Sequence, residues 1–364
     1  MKVITMTSLM AGIAFPLQAQ TLETDSLLST LRGELEYNMS ELSKQANKPY
    51  FMSLRLSDTN NTVIQSDLGA ATVMRNHERM VTPQVRLGSM AFDNFKFNNQ
   101  GSGATGQNAR NGKGVVIPLT GAVTPAMRQG IWREVMRRYR VAEENLQQAR
   151  SKTLTGQDNE DKAPCFSKPP VEPYYEAPLS EEQTRLDVTG WKEKLNKVSD
   201  VFKQYKDIET GKAELSFDVI RTYVVNTDGT RIAQNRKMCR VMLSASVLAP
   251  DGMSCPLNED FLAFSPEQLP DVSVMIATAE DMVKRLKALR LAPIADPYTG
   301  PAILSGPASG VFFHEIFGHR LEGHRLKSGG QTFKKMVGKK LLPETFNVFC
   351  DPTLKFYHNN ALNG

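Results

Sequence analysis

Two histidines five positions apart, His314 and His319, bound the run His314-Glu315-Ile316-Phe317-Gly318-His319, and a carboxylate follows the first directly. Neutral imidazoles are ligands for Zn²⁺, and an adjacent carboxylate can take a proton from water that the metal acidifies. The residue types point to metal-assisted hydrolysis, with His314 and His319 as ligands and Glu315 as general base. The usual zinc-hydrolase spacing is four, which sets both rings on one helical face. Positions four apart on a helix differ by about 40°, whereas positions five apart differ by about 140°. A regular helix would therefore aim the two rings apart. A single π-type turn absorbs the extra residue, and Gly318 offers the backbone freedom for it. The expectation is a helix over about 309–323, irregular near 315–319, with a buried start at Val311-Phe312-Phe313.

The segment His314-Glu315-x-x-Gly318-His319-x-Leu321-Glu322-Gly323, with its lead-in Ser305-Gly306-Pro307 and Gly310-Val311, resembles the signature of the TldD/PmbA metallopeptidase family, also called modulators of DNA gyrase. Upstream the likeness is one of layout only. The resemblance implies that the histidines bind the metal, that Glu315 is the catalytic base, and that the third ligand is a cysteine far downstream in a Gly-rich stretch. The sequence stops at Gly364, about forty residues past the motif, without such a stretch. The expectation is a C-terminally truncated member of the family. Within the sequence the other third-donor candidates are His324, Cys350 and His358. Glu322 is a candidate to orient His319 from behind, since ligand histidines need such a partner; a solvated carboxylate is the other reading. The resemblance further implies small or unfolded peptides as substrates, and a homodimer or a pair with a related subunit. The alternative reading is a non-catalytic partner subunit, or an inactive fragment, on the same fold.

At 364 residues the chain can hold two domains with sizeable cores, and 44 Lys and Arg against 39 Asp and Glu leave a mild net charge of +5. Lys2, an apolar run from Val3 to Phe15, and Pro16-Leu17-Gln18-Ala19 read as a secretory signal cleaved after Ala19, which implies export. That run is too short to span a bilayer, and no membrane span is expected. Cys165, Cys239, Cys255 and Cys350 are too scattered for a disulfide framework; Cys239 and Cys255 flank a strand and turn, which leaves a disulfide between them open. Arg320, Arg325, Lys327, Lys334, Lys335, Lys339 and Lys340 make a basic stretch after the motif. It has few aromatics, and an exposed loop over the site is expected rather than a nucleic-acid contact.

The elements that must position this site follow from periodicity. Leu27, Leu31, Leu35 and Met39 recur at helical spacing within 22–47. Strand-like runs follow at 50–56, 62–64 and 80–97, separated by Asn/Asp turns. Residues 98–121 read as a loop whose Gly101-Ser102-Gly103-Ala104-Thr105-Gly106 lacks the strand and helix that a phosphate cradle needs. A helix starts at the Thr124 cap with Pro125 in its first turn, and a Pro-rich connection spans 156–179. Ser180 and Gln183 form a capping box for a helix carrying Trp191, Leu195, Val198 and Phe202. Residues 213–225 and 231–249 form a hairpin turning at Asp228-Gly229, and 277–291 is a further helix. Ala292–Pro301, with its prolines, marks the boundary between an N-terminal domain (20–291) and an incomplete C-terminal metallopeptidase domain (292–364). The fold class is α+β: long helices packed on antiparallel sheet, followed by the start of a C-terminal domain carrying the metal-site helix.

Overall fold

A computed structural model describes residues 21–96, 114–119, 124–155, 164–321, 335–349, 351, 354, 356–357 and 360–361. The expected signal segment and the Gly101–Gly106 run lie outside the described residues. Helix α1 (Ser26–Leu42) opens on Asp25, whose carboxylate accepts from the amides of Leu27 and Leu28 at 3.0 Å. Strands β1 (Pro49–Asp67) and β2 (Ala70–Leu87) form a long hairpin. Its turn needs positive φ at Leu68 (46°) and Gly69 (90°). The Asn/Asp cluster expected to break β1 does not do so. Asp58 binds His77 (2.7 Å) and Arg79 (2.6 Å), and the Asn61 amide donates to Asp218 (2.7 Å). Partners across the sheet satisfy these side chains, so the ladder runs straight through.

Strand β3 (Val115–Ile117) edges β2, inside what reads by sequence as loop. Helix α2 (Pro125–Leu154) starts as its cap requires, with the Thr124 hydroxyl accepting from the Met127 amide. Strand β4 (Pro173–Tyr175) lies in the Pro-rich connection. The Ser180–Gln183 capping box is present, but it heads only the short α3 (Glu181–Thr184). Arg185 is extended, and the amphipathic helix α4 (Val188–Lys203) restarts on an Asp187 cap. Strands β5 (Ile208–Asn226), β6 (Arg231–Leu248) and β7 (Ser254–Ala263) and helix α5 (Val272–Arg290) complete this part.

The sheet order is β3-β2-β1-β5-β6, with β4 and β7 sharing the outer edge of β6. All pairs are antiparallel except β4–β6. The helices cover one face of the sheet in two groups. At one end α1 and α2 pack on Leu54, Leu56, Val81, Val85, Tyr223 and Val225. At the other, α4 and α5 pack on Ile64, Ala213, Leu215, Phe217, Val241 and Leu243. Leu54, Leu56 and Ile64 are an even number of residues apart, so both cores use the same face of β1.

Within the second core, Gly211 lets Phe202 approach the sheet backbone: a Cβ at position 211 would lie 2.3 Å from the Phe202 Cβ. Gly211→Ala is expected to destabilise the protein by about 1–3 kcal/mol through overpacking, read as a lowered urea midpoint. An unchanged midpoint would contradict that close approach.

Cys239 and Cys255 are free and buried. On the β6–β7 ladder Cys239 faces Ala263, while Cys255 faces Val247 at the other end. That offset amounts to about 27 Å along the strand, far beyond disulfide reach. Burial pushes the Cys239 thiol up to about 12, so it stays protonated and inert at neutral pH. Among the described residues no helix is long and apolar enough to cross a membrane.

Candidate metal centre

After α5, residues 292–305 carry no helix or strand. Helix α6 (Gly306–Phe313) then begins with Pro307 in its first turn, where the missing amide costs no helical bond. Residues His314–Gly318 form a π-turn, and α7 (His319–Leu321) follows. The irregularity falls where the spacing places it, and its hydrogen bond links the two histidines: the His319 amide donates to the His314 carbonyl, five residues back. Gly318 closes this turn without a positive φ. A Cβ there would meet His314 Nδ1 only at 3.9 Å, so the turn does not depend on glycine's freedom.

The consequence is convergence. The two imidazole centroids lie 4.6 Å apart with their planes at 74°. One ligand atom each from His314, Glu315 and His319 fall within 4.8 Å of one another. His314 Nε2 stands 3.9 Å from Glu315 Oε1. Two nitrogens on one tetrahedral Zn²⁺ are separated by about 3.3 Å, so a small side-chain rotation closes the gap. Two neutral imidazoles are donors that Zn²⁺ accepts, and the Glu315 carboxylate stands beside them. The residues fit a divalent transition metal, and among the described residues no other His, Cys, Asp and Glu group converges in this way. Glu322, Gly323, His324, Cys350 and His358 lie outside the described residues, as do Arg325, Lys327 and Lys334.

The site is open. The His314 and Glu315 side chains are 64% and 61% exposed. The start of the helix is not buried as expected: Val311 is 63% exposed and Phe312 46%. An apolar run signals a need for burial, but burial requires a covering surface, and the sheet does not supply one here. Sequence reasoning also passed over an aromatic cluster beside the histidines, in which Phe313 stacks on both Phe317 and Phe346. The four-residue interval from Phe313 to Phe317 was legible as one helical flank; the contact with Phe346 had no local signal.

Residues 297–362 match the sequence model of the PmbA/TldA metallopeptidase C-terminal domain. No curated protein matches the chain. Several solved structures resemble it. One is a candidate modulator of DNA gyrase from Thermotoga maritima, 10% identical, covering 69% of this chain and 47% of its own, with a TM-score of 0.37. A second candidate modulator, from Bacteroides thetaiotaomicron, is 9% identical over 72% of this chain and 50% of its own, TM-score 0.42. TldE from Thermococcus kodakarensis is 12% identical over 71% and 47%, TM-score 0.41. The chain spans about half the length of each of these structures.

Proposed function

From the match of residues 297–362 to the PmbA/TldA metallopeptidase C-terminal domain, we propose that the chain belongs to that family and is a zinc-dependent peptidase that cleaves small or unfolded peptides. The observation that carries the reading is the π-turn, which turns two histidines at an unfavourable spacing toward each other and toward Glu315. His314 and His319 would hold the metal. When bound, a divalent zinc ion supplies a Lewis acid that polarises a carbonyl and acidifies water.

The chain's own residues supply the rest. Glu315 follows the first ligand directly, and its carboxylate lies within 3.9 Å of that imidazole. From there it accepts the proton of the attacking water and later delivers it to the leaving amine. Glu322 is the proposed partner of His319. The apolar side chains left exposed at Val311 and Phe312 favour assembly with a second subunit, a copy of this chain or a related one. Export through the N-terminal segment ending near Ala19 belongs to the same proposal.

The test is metal removal and return. Protein dialysed against zinc should hold it in stoichiometric amount by plasma emission and cleave unstructured peptides. A chelator should abolish cleavage, and added zinc should restore it. Cleavage that persists in metal-free protein would end this reading.

A further inference from the structure

Aromatic rings cluster beside the metal-site turn. Phe313 stacks on Phe317 at 5.5 Å and 29° and on Phe346 at 5.2 Å and 16°, and Phe312 meets it edge-on at 5.5 Å. Phe313 directly precedes the first imidazole, and Phe317 lies inside the π-turn. Phe346 comes from outside this helix, out of an irregular stretch that follows the motif.

The helix gains little from packing on the sheet, since none of its residues from Gly306 to Leu321 is buried. A helix of this length is marginal on its own. A π-turn is rarer still, with an ordinary α-helix as its competitor in the same residues. In that competitor Phe313 and Phe317 stay within reach, but His314 and His319 part by about 140°. The form able to hold a metal therefore depends on contacts made around the turn. The Phe346 ring stacked on Phe313 restrains the residue before the first ligand, and the stack of Phe313 on Phe317 carries that restraint to the residue before Gly318.

The geometry points to Phe346 as a positioning residue. It keeps the turn in the form where the imidazoles converge, and so sets the affinity for a divalent metal. This rests on the metal-site reading above. The apparent affinity of such a site falls in proportion to the fraction of molecules in the competent form.

The experiment measures zinc affinity by competition with a chromogenic chelator, on the whole chain, for four proteins: wild type, Phe346→Ala, Phe346→Tyr and Phe349→Ala. Phe349, 87% exposed, is the control for loss of a nearby apolar ring. Phe346→Ala should weaken zinc binding about tenfold, the scale of a lost aromatic stack. Its thermal midpoint should be unchanged, because both cores lie elsewhere. Phe346→Tyr, which keeps the ring, and Phe349→Ala should both bind as wild type does. Equal affinity in wild type and Phe346→Ala would overturn the positioning role and leave the metal reading standing. A wild type that binds no zinc would overturn the metal reading itself, and this inference with it.

Discussion

His319→Ala should lose zinc, with affinity reduced more than a hundredfold. Replacing partners behind a metal ligand already costs about 10–100-fold, and here a ligand itself is removed. Only His314 of the two imidazoles would remain. Of the two histidines His319 is the more shielded, and its amide closes the π-turn onto the His314 carbonyl. Alanine keeps that backbone bond, so the substitution removes the donor without removing the turn. The comparison protein is His77→Ala, which deletes an exposed histidine bound to Asp58 on the sheet. Zinc titration should leave that variant unaffected. A His319→Ala protein that retains one zinc with wild-type affinity would remove His319 from the site.

The second large effect separates binding from chemistry. Glu315→Gln preserves the size of the side chain and its reach toward His314, but an amide cannot accept the proton of the attacking water. Cleavage of an unstructured peptide should fall by about 10²–10⁴, the range that a positioned acid–base group contributes. Zinc stoichiometry should stay at the wild-type value, because both imidazoles remain. Both measurements are made on the same preparation, so a protein that has simply unfolded would be seen in the metal content. Undiminished cleavage by Glu315→Gln would show that the base lies elsewhere.

What the sequence revealed, and what it hid, divides along the range of the interactions. The π-turn was legible because it follows from arithmetic on a few adjacent residues: five positions do not fit a 3.6-residue turn. The Thr124 and Ser180 caps were legible for the same reason, being hydrogen bonds across three residues. The unbroken course of β1 through Asp58 and Asn61 was not, since those residues favour turns until Arg79, His77 and Asp218 meet them from other strands. The break at Arg185 escaped because a capping box tells where a helix begins, not how far it runs. The exposure of Val311 and Phe312 was misjudged for a related reason: apolar character is local, whereas the surface that would cover it is not. Phe346 is the plainest case, since a ring thirty-three residues from Phe313 gives no sequence hint that the two will stack.

The two separate cores on one face of the sheet have a consequence for how the strands find each other. A one-residue slip of a strand turns every side chain to the opposite face. In β1 such a slip would eject Leu54 and Leu56 from beneath α1 and α2, and in the same movement expose Ile64 from beneath α4 and α5. Misalignment is thus penalised twice, at points several turns of pleat apart. A substitution that loosens one end leaves the other still enforcing the pairing. Long strands of mixed polarity are prone to sliding; here an apolar anchor at each end of β1 holds the polar middle in register with its cross-strand partners.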